Sequence, residues 1–252
     1  MKILVIIPAR GGSKGIPRKN VRLMNGRPLI SYVIQTAKNS SFVPDVYVST
    51  DSTEIADISM NYGAKIIERN ESLAGDKVTL DPVIYDALIR CEKDNNCSYD
   101  VIITMQPTSP LTTVKTLDAA IQKFLEEHYN TLLSVVNRPH LCWTEKEGKV
   151  LLAYEKRLNR QQLPKNFLET GAFVIVDRKS ISENSRFGEN VGVFEVPEIE
   201  SIDIDDATDW IMTESLMKKK KILFRVDGYV KLGMGHIYNC RKIFWMPNVI
   251  AI

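Results

Sequence analysis

The sequence has 252 residues, which is enough for one large domain, or for one domain and a fragment of a second. Hydrophobic residues make up 44% and charged residues 25%, and these ordinary globular values exclude a disordered chain, a collagen-like chain and a coiled coil. The net charge of +2 is too small to indicate a general nucleic-acid-binding protein. No apolar run approaches the roughly 18 residues of a membrane span, and the four cysteines form no CxxC pair. We therefore expect a cytoplasmic protein with reduced thiols and with no nucleic-acid or membrane partner.

Strand-like and helix-like segments alternate from the first residues onward. Continuous apolar runs predict strands, and apolar residues at helical spacing predict helices. In chain order these are a strand at 2–7, a helix at 28–37, a strand at 45–49, a helix at 53–62, a strand at 64–68, a helix at 81–91, a strand at 101–105, a helix at 117–125 and a strand at 132–136. Asp81 and Pro82 are predicted to be the N-cap and the first residue of the third helix. Such alternation is typical of an α/β fold with a mostly parallel sheet and helices on both faces.

The pattern is less regular after residue 137. Residues 138–165 are polar apart from one predicted strand at 149–153, and we expect them to form an excursion from the main sheet. Strands are predicted again at 171–176 and 191–196, and residues 202–206 are expected to lead as a strand into a last helix. Because a parallel sheet binds ligands at the carboxyl ends of its strands, we expect the site in four loops, those after Ile7, Ser49, Met105 and Ile204.

Residues 8–20, which we call the cationic loop, directly follow the first predicted strand. They combine three glycines with four cations, namely Gly11, Gly12, Gly15, Arg10, Lys14, Arg18 and Lys19. Glycines allow backbone N–H groups to approach phosphate oxygens, and Arg and Lys neutralise several phosphate charges at once. The spacing is neither that of a Walker A loop nor that of a dinucleotide-binding turn. A solvated basic loop is the alternative, but the density of glycines and cations favours nucleotide binding by this loop, Gly11 and Gly12 included.

Two carboxylates stand at alternate positions near the end of the predicted fold. In a strand, Asp203 and Asp205 would lie on one face, about 6.6–6.8 Å apart along the chain. Near a triphosphate they would repel each other unless a cation lay between them, and Mg²⁺ (or Mn²⁺) prefers such oxygen ligands. The alternative is that Asp205 or Asp206 caps the next helix.

Two further polar residues are candidates for substrate binding. Gln106 stands at the end of a predicted central strand, in a loop made rigid by two prolines, and its amide can both donate and accept hydrogen bonds. A rigid turn without a ligand explains this loop equally well. Arg160 is suited to pair with a substrate carboxylate through two hydrogen bonds, although one Arg in a polar stretch is more often solvated.

These motifs resemble those of the acylneuraminate cytidylyltransferases, the CMP-sialic acid synthetases. The cationic loop is similar to the P-A-R-x-x-S-K-G-x-P-x-K-N loop of that family. Further matches follow in order over residues 1–217: Ser49-Thr50-Asp51, Arg69 with Leu73-Ala74-x-Asp76, Gln106–Leu111, Arg160–Pro164, Gly171-Ala172-Phe173, and Ser201–Asp205 with Asp209-Trp210.

The resemblance implies a Rossmann-like nucleotidyltransferase fold and a reaction in which the anomeric hydroxyl of a nine-carbon acidic sugar attacks the α-phosphate of CTP. It implies the following site residues: Arg10 and Lys19 at the phosphates with Ser13 and Lys14 beside them, Asn20 and Arg69 at the cytosine, Asp76 among the nucleotide contacts, Gln106, Arg160 and Gln161 at the sugar, and Asp203 and Asp205 at the metal. It also implies a homodimer in which residues 138–165 reach toward the neighbour's site.

Catalysis in such a site is mainly the placement of positive charge by Arg10, Lys19 and Mg²⁺, and we expect Arg10, Lys19 and Asp205 to be the catalytic residues. No histidine is expected nearby, so a metal-bound water or a carboxylate such as Asp205 is left to accept the sugar's proton. An eight-carbon acidic sugar as acceptor and a catalytically silent nucleotide-binding module are the main alternatives. Glycosyl transfer ranks below them because glycosyltransferases lack the cationic loop.

Three residues and the last segment depart from the family pattern. Thr112 stands where the family often has Arg, and Leu168 and Thr170 replace Arg and Asn in a region expected to border the sugar. Residues 222–240 resemble the start of the nucleotide-sugar hydrolases of pseudaminic acid synthesis, with His236 at the position of their catalytic His. We expect residues 218–252 to be a linker and the truncated start of a second α/β domain, with His236 inactive.

Overall fold

The computed structural model describes residues 1–13 and 15–218. Its helices are α1 (Leu29–Lys38), α2 (Thr53–Asn61), α3 (Leu80–Asp94), α4 (Val114–Glu126) and α5 (Ala207–Met217). Its strands are β1 (Ile3–Pro8), β2 (Leu23–Met24), β3 (Arg27–Pro28), β4 (Asp45–Thr50), β5 (Lys65–Glu68), β6 (Val101–Met105), β7 (Thr131–Asn137), β8 (Trp143–Lys146), β9 (Lys149–Leu152), β10 (Phe167–Asp177) and β11 (Val191–Glu195). The alternation predicted from hydrophobic spacing is thus confirmed in order and type through β7, apart from the two short strands β2 and β3, which were not predicted.

A seven-stranded sheet with the order β11-β7-β10-β6-β1-β4-β5 forms the centre of the protein. β10 runs antiparallel to β6 and β7, and the other neighbouring pairs are parallel. The chain proceeds outward from β1 to β4 and β5, and then returns to β6 on the other side of β1. The sheet therefore has its topological switch point between β1 and β6, where open α/β sheets form a ligand crevice.

Helices cover both faces of the sheet, as predicted. Alternate residues of β1 point to opposite faces, and Val5 packs with α1, α2 and α4 whereas Leu4 packs with α3. The buried faces of α1 and α4 contain the apolar residues expected from helical spacing: Ile30, Val33, Ile34, Ala37, Leu117, Ala120, Ile121 and Phe124. Burial on both faces explains the continuous apolar run of β1.

The third helix begins earlier than predicted. Thr79 is its N-cap, so Asp81 and Pro82 lie within its first turn, where proline is tolerated because the N–H groups have no partner in the helix. Instead of capping the helix, the Asp81 carboxylate accepts a hydrogen bond from Arg186 Nε at 2.6 Å. The prediction that Asp81 is the N-cap was wrong because a long-range ion pair uses its side chain.

The prediction of a strand at residues 202–206 was also wrong. Residues 202–205 belong to neither a strand nor a helix, and the backbone of Ile204 is held instead by loops. Its N–H donates to the Thr108 carbonyl at 2.9 Å, and its carbonyl accepts from Lys19 Nζ at 2.6 Å. Its side chain is buried with Ile16 and Trp210, so packing and loop contacts replace sheet pairing in this segment.

Residues 143–152 form a separate ribbon in which β8 and β9 pair only with each other. The strand predicted at 149–153 is therefore present, and it lies outside the main sheet. Every residue of both strands is exposed, including four large apolar side chains: Trp143, Val150, Leu151 and Leu152.

The tail predicted to begin a second domain lies beyond Lys218, outside the described residues. Among the helices that the structure does describe, none is long and apolar enough to cross a membrane.

The end of β10 is anchored to α3 by an ion pair. Arg178 donates from Nε and Nη2 to the two carboxylate oxygens of Glu92, each at 2.9 Å. Burial acts to raise the pKa of Glu92, but hydrogen bonds from Arg178 and from the Tyr99 N–H outweigh it, so this pKa lies below its ordinary value. A lowered carboxyl pKa stabilises the fold above the unfolded pKa, and this contribution is lost as the pH falls through the folded pKa.

We expect Glu92→Gln to lower the free energy of unfolding by about 1–2 kcal/mol at pH 7, because it removes the charge from a paired hydrogen bond. The difference from the wild type should shrink as the pH falls below about 4. Urea denaturation at a series of pH values measures both effects, with exposed Glu189→Gln as the control. If Glu92→Gln lowered the free energy of unfolding by the same amount at every pH, this account would be contradicted.

Candidate active site

A cleft of about 390 Å³ opens where β1, β5 and β6 end. Eight of the residues predicted to form the site line it: Arg10, Ser13, Lys19, Asn20, Arg69, Asp76, Gln106 and Asp205. Three of the four loops expected to carry the site therefore meet here, those after β1 and β6 and the segment after Ile204. The loop after β5, which supplies Arg69 and Asp76, was not among those four, although the sequence motifs had singled out both residues.

The cationic loop is held by backbone and side-chain hydrogen bonds from its neighbours. Asn20 is buried and donates from Nδ2 to the Arg10 carbonyl at 3.0 Å, which closes the loop on itself. The N–H of Gly11 donates to Asp51 Oδ1 at 2.8 Å. The fourth predicted loop, after β4, thus contributes by positioning the cationic loop. Lys14 lies outside the described residues.

Two cations of the loop lie close to carboxylates in the cleft. Arg10 Nη1 is 2.7 Å from Asp76 Oδ1, and Asp76 belongs to the loop after β5. Lys19 Nζ is 3.8 Å from Asp205 Oδ1, and Asp205 itself is largely exposed. Each cation is therefore directed into the cleft by a contact that an anionic ligand could share.

Arg69 is a buried residue that lines the same cleft. Its Nη2 donates to the Ser49 carbonyl at 2.7 Å and its Nε donates to Ser49 Oγ at 3.3 Å. Burial lowers the pKa of Arg69, Asp51 opposes this change and Arg10 adds to it. An arginine that is desolvated and fixed in this way is suited to recognise a ligand through directed hydrogen bonds.

The acidic segment divides its carboxylates between helix capping and the cleft. Asp206 is the N-cap of α5 and accepts from the Thr208 and Asp209 N–H groups, while Asp209 accepts from the Asp206 N–H, so the two form a capping box. Of the two residues proposed as alternative caps, Asp206 has this role. Asp203 and Asp205 are left available for a ligand.

The environment of Asp203 fits a divalent cation. Its Oδ1 atom is buried, and within the described residues it has no hydrogen-bond partner. Burial raises the pKa of Asp203, and the nearby Asp205 and Asp209 carboxylates add to this, whereas Thr108 and Lys19 oppose it. A cation would offset both the cost of burying the Asp203 oxygen and the repulsion among the neighbouring carboxylates. The part of the chain that the structure describes contains no cluster of three acidic, His or Cys ligands, so substrate oxygens and water would have to complete the coordination, as is usual for Mg²⁺.

Gly171 is a residue of this region that sequence reasoning did not assign to the site. It has a φ of +68° and lies where the register of β10 shifts, beside the side chains of Gln106 and Asp203. The matched motif Gly171-Ala172-Phe173 was the signal that could have identified it. Thr108, whose side chain acts to lower the pKa of Asp203, also lines the cleft and was not assigned.

Two predicted sugar-binding residues do not line the cleft. Arg160 and Gln161 form part of a short 3₁₀ helix in the excursion, and both are exposed. Thr112 and Thr170, expected to border the sugar, have buried side chains that bond to other parts of the chain, whereas Leu168 is exposed. A change at Thr112 or Thr170 would therefore act first on the packing of the fold.

A family model described as Cytidylyltransferase matches residues 4–191. The chain belongs to the cytidylyltransferase family. This confirms the resemblance drawn from the motifs, and it identifies the protein as a nucleotidyltransferase.

Relatives and solved structures agree with this membership. The chain is 34% identical to a CMP-N,N'-diacetyllegionaminic acid synthase from Legionella pneumophila, over 86% of this chain and 97% of that protein. It is 32% identical to a pseudaminic acid cytidylyltransferase from Campylobacter jejuni, over 90% and 98%. The structure of a CMP:2-keto-3-deoxy-manno-octonic acid synthetase complexed with CTP covers 86% of this chain and 98% of its own, with a TM-score of 0.62 and 18% identity, and confirms the nucleotidyltransferase fold.

The close approach of Gly15 to the acidic segment predicts a sharp effect of a single methyl group. A Cβ atom at position 15 would overlap the carbonyl oxygen of Asp205, which is backbone and cannot rotate away. We expect Gly15→Ala to separate the two segments, to lower the free energy of unfolding by about 1–3 kcal/mol and to weaken CTP binding. The matched control is Gly12→Ala, because no heavy atom lies within 4 Å of a Cβ there. Thermal melting compares the two variants, and equal stabilities would show that the contact is not tight.

Proposed function

We propose that this protein transfers the CMP moiety of CTP to the anomeric hydroxyl of a nonulosonic, sialic-acid-like sugar and releases pyrophosphate in a Mg²⁺- or Mn²⁺-dependent reaction. The observation that carries the proposal is the convergence of Arg10, Lys19, Arg69 and Asp205 in one cleft at the switch point of a cytidylyltransferase sheet. The names of the two relatives, which refer to legionaminic and pseudaminic acid, support a nonulosonic acid as the acceptor.

Neutralising phosphate charge is the first task of such a site. Attack at the α-phosphate places negative charge on its equatorial oxygens and on the departing pyrophosphate. We assign Arg10 and Lys19 to these oxygens, with the N–H groups of Gly12 and Ser13 beside them. The carboxylates that already contact the two cations keep the cations directed into the cleft, so little reorganisation is needed when phosphates bind.

We assign recognition of the cytosine to Asn20 and Arg69. Both side chains are buried, and each is fixed by hydrogen bonds, Asn20 to the Arg10 carbonyl and Arg69 to Ser49. Groups that cannot move discriminate between bases because a wrong base leaves buried polar atoms without partners.

Asp203 and Asp205 would hold the divalent ion. When bound there, Mg²⁺ or Mn²⁺ supplies positive charge to the phosphate oxygens. Lys19 donates to the carbonyl of Ile204, between the two acids, and so fixes the segment that carries both carboxylates. No histidine lines the cleft in the part of the chain that the structure describes. A carboxylate such as Asp205, exposed in the cleft, is therefore the candidate to accept the proton of the sugar hydroxyl.

We propose that Arg160, with Gln161 beside it, binds the sugar carboxylate from a second copy of the chain in a homodimer. Within one chain neither residue lines the cleft. The exposed apolar side chains of β8 and β9, Trp143 and Val150 among them, form a surface of the kind that is covered in an oligomer. A homodimer would cover this surface and complete the site at once.

The reaction is tested by incubating the protein with CTP, Mg²⁺ and a panel of acidic sugars, and by measuring pyrophosphate. We expect release with a nonulosonic acid, and a fall of about 100-fold or more for Arg10→Ala and Asp205→Ala, because each removes a charge that the transition state requires. Release of pyrophosphate only with an eight-carbon acidic sugar would show that this sugar, and not a nonulosonic acid, is the acceptor. CTP binding without release would identify a silent module, and full Mg²⁺-dependent turnover by Asp205→Ala would refute its role at the metal.

Subunit complementation tests the shared site. Arg10→Ala and Arg160→Ala should each be inactive alone, because each lacks one part of every site. After unfolding and refolding together at equal amounts, half of the dimers are mixed, and each mixed dimer regains one intact site. We therefore expect roughly a quarter of the wild-type activity. If the mixture stays inactive, Arg160 serves the site of its own chain.

A further inference from the structure

Gly171 has a backbone conformation and surroundings that only glycine fits well. Its φ of +68° lies in the left-handed region, which side-chain-bearing residues rarely adopt. A Cβ atom there would be 3.1 Å from Gln106 Nε2 and 3.2 Å from Asp203 Oδ2. Both distances are shorter than ordinary van der Waals contact, so the Gln106 amide and the Asp203 carboxylate would each have to move away from the added Cβ atom.

The chain holds this glycine firmly in place. The register between β10 and β7 shifts between Glu169 and Val174, so Gly171 lies in an irregularity of the strand. On one side of it lies Thr170, which is buried. The Thr170 hydroxyl donates to Ser134 Oγ at 3.0 Å, and the Thr170 carbonyl accepts from Ser109 Oγ at 3.1 Å. On the other side, Phe173 donates its N–H to Ser134 Oγ at 3.0 Å. Strain at position 171 therefore cannot be relieved by sliding the strand.

The two side chains in contact with Gly171 belong to different parts of the proposed site. Gln106 extends from the end of β6 and lines the cleft, and Asp203 carries the buried oxygen that fits a cation. They are far apart in the sequence, and both lie against the backbone of Gly171 in the irregular part of β10.

From this meeting point we infer that Gly171 is a positioning residue, whose lack of a side chain sets where the Gln106 amide and the Asp203 carboxylate lie relative to each other. This inference rests on the proposed function. A shift of a few tenths of an ångström uses most of the tolerance of about 0.5 Å within which such ligands must be held, so we expect metal and substrate binding to weaken together.

The competing explanation is that Gly171→Ala acts through backbone strain alone. The chain offers a matched control for this explanation. Gly26 has a φ of +78° in the turn between β2 and β3, and no heavy atom lies within 4 Å of a Cβ at that position. Gly26→Ala therefore carries the cost of a positive φ without crowding any side chain. Gly171→Ala carries the same cost and adds the two contacts.

The experiment compares the wild type, Gly171→Ala and Gly26→Ala by thermal melting, by electron paramagnetic resonance titration of Mn²⁺, and by kinetics. We expect both variants to lose stability, and only Gly171→Ala to weaken Mn²⁺ binding, by about tenfold, and to raise the KM of the sugar. In a Gln106→Ala background, Gly171→Ala should have a smaller additional effect on the sugar KM, because the crowded side chain is gone. If Gly171→Ala does not fold, Gly171→Asn with Gly26→Asn as control replaces the pair, because Asn tolerates a positive φ better.

Equal Mn²⁺ affinities and equal sugar KM values for the two alanine variants would overturn the inference, and so would the absence of Mn²⁺ binding in the wild type. If the wild type binds Mn²⁺ but releases pyrophosphate with none of the sugars, the proposed function fails. The Mn²⁺ titration then decides the inference about Gly171 by itself.

Discussion

The site depends on one constraint, the attachment of the Ile204 segment to two loops that leave the sheet. The N–H of Ile204 donates to the loop after β6, its carbonyl accepts from Lys19 of the cationic loop, and Gly15 packs on the carbonyl of the next residue. The side chain of Ile204 is buried with Ile16 and Trp210. This attachment brings Asp205 to the cleft and places Asp203 beside Gln106, which lines the cleft.

Apolar burial contributes more to this attachment than charge does. The pair of Lys19 and Asp205 is 3.8 Å long and its carboxylate is 83% exposed, and such surface pairs contribute little. Burying an Ile or Trp side chain typically stabilises by about 1.5–3 kcal/mol, and three such residues are buried together here. The apolar cluster therefore holds the charged groups in place, and the charged groups remain available to a ligand.

The polar part of the cleft is less stable than its apolar support. The buried Asp203 oxygen has no partner among the described residues, its pKa is raised by burial, and the adjacent Gly171 has a left-handed backbone. The first two features cost stability in the protein itself, whereas glycine adopts the left-handed conformation without steric cost. Their concentration at one point, between Gln106 and the acidic segment, is typical of a site organised for a ligand.

Much of the fold could be predicted from the sequence because its signals are local. Continuous apolar runs identified β1, β4 and β6, and helical spacing identified α1 and α4, since burial on one face or on two imposes these periods directly. The predictions failed where a residue that is distant in the sequence determines the local structure. Asp81 bonds to Arg186 instead of capping α3, and Ile204 is held by two loops instead of a strand.

The sequence by itself determined the proposed phosphate-binding loop after β1, because the glycines and cations of this loop are close together in the chain and their chemistry is evident from composition. Only the tertiary structure decided that Asp205 lines the cleft and that Gln106 and Asp203 both lie against Gly171. These relations join residues that are far apart in the chain. Their geometry follows from strand order and packing, which no local pattern encodes.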